Sequence, residues 1–221
     1  ILTEVAREDL ANIDASKDKI NMERLKSLSN ERQKNAIVFW LNIENDIYVP
    51  SKLIFQILSS VAEPSSESSS FFIHSDSLNS DIRIIVSSKE IRILDQGSLI
   101  PLPENLRVIW DLKKSIKIPS GELSTQESYG KGLDKKYLRD DVIIKARVGG
   151  ERCRPFGRDK SQKIKNLFQE FEIPDWKRNS IPLIYINDRI AAVGDLWVCD
   201  EFHTNLNESG ISIVWNDNVN K

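Results

Sequence analysis

A chain of 221 residues, 40% hydrophobic and with a formal net charge of −2, has the make-up of a soluble globular protein of one large or two small domains. No apolar run approaches the ~20 residues of a membrane span and no secretory leader opens the sequence, which argues against a membrane or exported protein. Cys153 and Cys199 are the only cysteines, too few for a disulfide framework, so two unpaired thiols in a reducing cytoplasm are expected. The sequence starts at Ile1 rather than at a methionine, which reads as a piece of a longer chain.

The first third reads as helical. An opening helix ends over Asp9 to Ile13. Met22, Leu25 and Leu28 lead to Ser29, a cap for a helix from about Asn30 in which Ile37, Trp40 and Leu41 repeat at helical spacing. Ser51 is expected to cap the next helix, whose stripe is Ile54, Leu58 and Val61; a one-sided stripe of this kind belongs to a core. A serine-rich loop follows, from Ser65 to Ser70. Phe71 to Ile73, Ile82 to Val86 and Ile91 to Leu94 read as strands, with Ser87-Ser88-Lys89 as a turn.

Beyond the prolines at 101 and 103 a second pattern begins, with strands at Val108 to Trp110, Ile116 to Ile118 and Val142 to Val148. The polar stretch Ser120 to Arg139 between them reads as a flexible insertion. Gln162 to Glu172 is expected to be a helix capped by Ser161 and stopped by Pro174, with Ile164, Leu167, Phe168 and Phe171 on one face. Leu183 to Ile186 and Ile190 to Val193 should pair across Asn187-Asp188, and Ile211 to Val214 supplies a last strand before a frayed tail. The expected architecture is therefore α+β. Residues 1–102 form a mostly helical domain with short strands, and residues 103–221 form a small C-terminal sheet-plus-helix domain.

Charge is distributed unevenly. Between Lys145 and Lys165 eight basic residues face two acidic ones, a net of +6 that leaves −8 on the rest of the chain. A basic patch on an acidic body favours directed docking of a polyanion. The arginines Arg147, Arg152, Arg154 and Arg158 can fork onto phosphates, and Lys160, Lys163 and Lys165 carry the patch onto the first helical turn. Arg178, next to Trp176 and Lys177, is a further candidate, although Trp176 itself fits a core plug better than a stacking platform. Gly149-Gly150 is either a phosphate cradle or a tight turn.

Catalytic chemistry is hard to find. His203, with Cys199, Asp200 and Glu201 upstream, reads better as a solvated acidic turn than as a metal site, which needs about four ligands in a compatible geometry. Asp140-Asp141 reads as a turn and Cys153 as a passive thiol. No nucleophile elbow, Walker loop or dinucleotide fingerprint occurs, and neither catalytic nor metal-binding residues are assigned.

The segment 145–198 resembles the C-terminal domain of bacterial tRNA(Ile)-lysidine synthetase. The resemblance runs through the loop Gly149 to Arg158, the helix Lys163-Ile164-Lys165-Asn166-Leu167-Phe168-Gln169-Glu170, then Ile173-Pro174-Asp175-Trp176-Lys177-Arg178 and Ile181-Pro182-Leu183-Ile184-Tyr185. Asp175 stands where a second proline is usual and Lys177 where an apolar residue is common. More weakly, Asp9-Leu10-Ala11 to Val61, with Leu28-Ser29 and Pro50-Ser51, resembles the family's middle, substrate-recognition domain.

The resemblance implies a tRNA-binding portion of a ligase that uses ATP, with magnesium, and lysine to convert the first anticodon cytidine of isoleucine tRNA to lysidine. It implies two partners, that tRNA and an N-terminal ATP-pyrophosphatase domain of the same protein. The latter's Ser-Gly-Gly-x-Asp-Ser loop is absent from this chain, so no cofactor is expected here. A homodimer is compatible with the sequence. The competing readings are a stand-alone RNA-binding or interaction module and a free-standing small-molecule enzyme.

Overall fold

The computed structural model describes residues 2–63, 68–75, 80–95 and 100–217. The chain divides into two compact units, Ile1–Gln96 and Gly97–Lys221. Each has its own core. Among the described residues no helix is long and apolar enough to cross a membrane.

The first unit opens with helix α1 (Leu2–Asn12), strand β1 (Lys19–Asn21), α2 (Met22–Lys26) and α3 (Asn30–Phe39). Helix α3 runs on into a π-helical turn, Trp40–Glu44, and is followed by α4 (Ser51–Ala62). Ser29 does stand at the N-cap of α3, but its side chain makes no capping hydrogen bond. At α4 the expectation is off by one: Pro50 is the cap and Ser51 the first helical residue, because the fixed φ of proline sets the extended entry. The three expected strands are present as β2 (Ser69–Ser75), β3 (Ser80–Val86) and β4 (Glu90–Asp95); they form a meander, and β1 joins its far edge in the antiparallel order β1-β4-β3-β2. Trp40, Ile37, Leu41, Ile57 and Ile84 fill the core between helices and sheet. Arg32 forks onto both carboxylate oxygens of Asp9, which is fully buried. Residues 65–67 of the expected serine-rich loop lie outside the described residues, as does the tail beyond Asp217, whereas Ser69 and Ser70 belong to β2 rather than to a loop.

The second unit contains β5 (Arg107–Trp110), β6 (Ile116–Ile118), β7 (Gly121–Tyr129), β8 (Leu133–Asp134) and β9 (Val142–Lys145). Next come β10 (Arg152–Cys153), β11 (Gln162–Lys163), α5 (Ile164–Glu170), the single turn α6 (Asp175–Arg178), β12 (Leu183–Ile186), β13 (Arg189–Val193), β14 (Trp197–Val198) and β15 (Ser209–Asp217). One antiparallel sheet has the order β14-β13-β12-β9-β5 and a second the order β6-β7-β15-β8. Phe168, Leu167 and Ile164 of α5, Leu183 and Ile184 of β12, and Ile213 and Trp215 of β15 meet in one core.

The stretch expected to be a flexible insertion is instead ordered structure. Residues Gly121–Tyr129 pair with Ser209–Asp217 along all nine residues, and Leu133–Asp134 flanks the same strand. Gly132 is held to glycine there: at φ +87°, an added Cβ would sit 2.3 Å from the Ile211 carbonyl oxygen. The β12–β13 hairpin follows the expected pairing. Asn187 and Asp188 have φ of 48° and 59°, the conformation a two-residue hairpin turn needs.

The helix after the basic loop is shorter than the sequence reading. It starts at Ile164 with Lys163 rather than Ser161 as cap, because Gln162–Lys163 is drawn into the ladder with β10. Phe171 lies past its last turn and is exposed, leaving Ile164, Leu167 and Phe168 as the buried stripe. The helix already ends at Glu170, and Pro174 caps α6. Trp176 is half-buried against the core, and Lys177 donates to the buried Asp217 carboxylate at 2.6 Å. A lysine is therefore accommodated where an apolar residue would otherwise fit.

Candidate nucleic-acid interface

The basic segment 147–165 folds as a ridge. Its base is the short β10–β11 ladder, in which Arg152 stands directly opposite Lys163 and Cys153 opposite Gln162. Its outer part is fastened to the sheet edge: the Phe156 N–H donates to the Val198 carbonyl at 3.0 Å, the Asp200 N–H donates to the Arg154 carbonyl at 2.7 Å, and Pro155 bridges to Cys199. Cys153 and Cys199 are joined in a disulfide, with Cα atoms 6.0 Å apart. This corrects the expectation of two unpaired thiols. The ladder and the residues after β14 bring together cysteines separated by 46 positions, which no local spacing announces.

Arg152, Arg154, Arg158, Lys160, Lys163 and Lys165 are all exposed on this ridge. Arg152 donates to the Ser161 carbonyl at 2.7 Å and Arg154 to Asp200 at 2.5 Å, while Arg158 is paired with Glu170. Among the described residues Lys160, Lys163 and Lys165 form no ion pair. Two other candidates face the scaffold. The Arg147 guanidinium donates to Asn179 at 2.9 Å and lies 5.9 Å over the Phe168 ring, and the Arg178 Nε donates to the Ile173 carbonyl at 2.9 Å.

The glycine pair does not form an open phosphate cradle. The Glu151 carboxylate accepts from the Val148 N–H at 2.5 Å and from the Gly149 N–H at 2.9 Å, so the chain supplies its own anion. Gly149 and Gly150, at φ of 115° and 87°, make the turn that allows this. A glutamate two residues after a loop glycine is the only sequence signal for the contact.

Two cavities flank the ridge. One, of about 430 Å³, is lined by Arg152, Arg154, Tyr185, Arg189 and Asp200 among others. Burial raises the Tyr185 hydroxyl above the usual phenol range, and the Glu151 carboxylate adds to the effect, so it remains a protonated donor. The other cavity, of about 360 Å³, takes its walls from Phe156, Arg158, Phe171, Trp197 and His203 among others. The residues weighed as metal ligands are engaged elsewhere: Cys199 with Cys153, Asp200 with Arg154, Glu201 with Arg189, and His203 against the Phe156 ring.

The class of surface is thus a cationic ridge on an antiparallel sheet-and-helix domain. Residues 142–215 match the family model of the TilS substrate C-terminal domain. A tRNA(Ile)-lysidine synthase of Coxiella burnetii is 26% identical over 221 residues, covering 99% of this chain and 46% of that protein. The enzyme of the same name from Legionella pneumophila strain Lens is 31% identical, covering 96% and 47%, and that of Photobacterium profundum is 43% identical over 96 residues, covering 42% and 22%. A crystal structure of a TilS C-terminal domain superposes with a TM-score of 0.40 at 17% identity, covering 51% of this chain and 98% of that one. The chain is thus similar to tRNA(Ile)-lysidine synthases along nearly its whole length, and it spans about half the length of the first curated relatives it matches.

Proposed function

We propose that this chain is the tRNA-handling portion of an ATP-dependent tRNA(Ile)-lysidine synthetase, a ligase that forms a carbon–nitrogen bond. The observation that carries the reading is the register of the basic ladder. Like charges facing each other across a ladder are destabilising, yet Arg152 sits opposite Lys163, with Lys160 and Lys165 close by in sequence. A phosphate chain along the ridge would relieve that repulsion.

In the whole enzyme, ATP with magnesium would adenylate the first anticodon cytidine of isoleucine tRNA bearing a CAU anticodon. The amine of lysine would then displace AMP. We place that chemistry in an N-terminal ATP-pyrophosphatase domain of the same protein, working in the cytoplasm. This chain's part is positional. A reaction between a tRNA base and an activated phosphate depends on holding the two in register. Phosphate contacts fix the tRNA without reading its sequence, and the shape of A-form RNA adds discrimination. The Arg154–Asp200 pair suits the task, because an exposed ion pair contributes little and exchanges Asp200 for phosphate at small cost.

In the whole enzyme, Arg152→Ala with Arg154→Ala is expected to raise the KM for tRNA by about tenfold or more, with the KM values for ATP and lysine unchanged. Steady-state kinetics with each substrate varied in turn checks this. An equal loss for all three substrates would contradict a positional role.

A further inference from the structure

We infer that the aromatic groove on the outer side of the ridge takes one unpaired RNA base, a contact that rests on the tRNA-binding reading and extends it from phosphates to a nucleobase. Phe156 is 44% exposed and stacks on His203, with ring centroids 3.6 Å apart and planes 7° apart. Phe171 is 46% exposed and stacks on Trp197 at 5.2 Å. These paired rings come from four segments of the chain and line one cavity of about 360 Å³, near the small end of the range for small-ligand pockets and of a size for a single nucleotide.

The charges around the groove identify the occupant. Lys131 and Arg158 line it, and the Arg158 guanidinium lies 5.9 Å over the Phe171 ring. Cations beside exposed aromatic faces match a base joined to phosphate, the usual means of holding single-stranded RNA. Asp195 also lines the groove, and its carboxylate would accept a hydrogen bond from a base amino group. Continuity with the ridge is the further argument. Arg152 and Arg154 line one cavity, and Phe156 and Arg158, further along the same segment, line the aromatic groove. One RNA strand crossing the segment would meet cations first and the stacking platform next.

His203 is set for the stack. Its Nδ1 donates to the Thr204 carbonyl at 2.5 Å, which fixes the plane against which Phe156 rests. Phe156 is held to the sheet by its backbone N–H, so Phe156→Leu removes the aromatic face and leaves the anchoring hydrogen bond in place.

The test titrates the full chain, wild type and Phe156→Leu, with three probes: a single-stranded oligoribonucleotide carrying one 2-aminopurine, whose emission is quenched by stacking; a hairpin duplex of equal charge; and 2-aminopurine ribonucleoside monophosphate. The expected result is quenching of the single strand by wild type, with roughly tenfold weaker binding and lost quenching in Phe156→Leu. Duplex affinity and the salt dependence of binding stay unchanged. Salt-dependent binding of the single strand and the hairpin without quenching, or quenching equal in both proteins, overturns the base site and leaves the phosphate reading standing. Monophosphate binding as tight as that of the single strand also overturns it, in favour of a free-nucleotide site. Failure of every RNA to bind overturns the base site together with the reading on which it rests.

Discussion

Replacing Lys160, Lys163 and Lys165 together with alanine is expected to reduce the slope of log affinity against log salt by about 2 and to weaken tRNA binding roughly a hundredfold at 0.1 M salt. The lysines carry this expectation because of how the other cations are engaged. Arg154 and Arg158 have carboxylate partners and Arg152 is tied to a backbone carbonyl, whereas the three lysines form no ion pair among the described residues. Each can meet a phosphate and release its counterions without first giving up a partner. All three are exposed and Lys163 holds its ladder position through the backbone, so the folded state should be little affected. Binding measured by fluorescence anisotropy at four or more salt concentrations, beside thermal unfolding of both proteins, checks the two halves of the expectation. An unchanged slope would take these lysines out of the interface.

Phe168→Ala is expected to destabilise the second unit by about 3–5 kcal/mol. Phe168 is fully buried at the centre of that core, 5.8 Å from the Trp197 ring and beneath the Arg147 guanidinium. Truncation leaves a cavity that neither the five-stranded sheet nor α5 can close by moving alone. Because α5 also carries Lys165 and begins beside Lys163, loss of its seating loosens the ridge as well. Urea unfolding followed by tryptophan fluorescence measures the loss, with Phe168→Leu as the volume-retaining control. A change below 1 kcal/mol would mean that α5 is not seated as described.

What was legible in the sequence was local. The Asn187-Asp188 hairpin could be read because two adjacent residues with a tolerance for positive φ stand between apolar runs. The buried stripe Ile164, Leu167 and Phe168 could be read because helical periodicity repeats it. Strand β7 could not. Glu122, Ser124, Thr125, Gln126, Glu127 and Ser128 carry no apolar alternation, and the strand exists because β15 pairs with it; Gly121 meets Asp217, almost a hundred residues away.

At the site, composition located the ridge but not its partners. That Glu151 fills the turn at Gly149, that Cys199 reaches Cys153, and that Phe156 lies on His203 are outcomes of the fold. Phe171 looked like core because it continues the stripe by one more helical step. The helix ends at Glu170, one residue too soon, and frees that ring for the groove.

The measurement that bears most directly on the account is the salt dependence of binding between this chain and unmodified isoleucine tRNA with a CAU anticodon. A cationic ridge gripping the backbone predicts that log affinity falls linearly with log salt, with a slope of about −3 or steeper. Affinity that is negligible at low salt, or that does not change with salt, would contradict it.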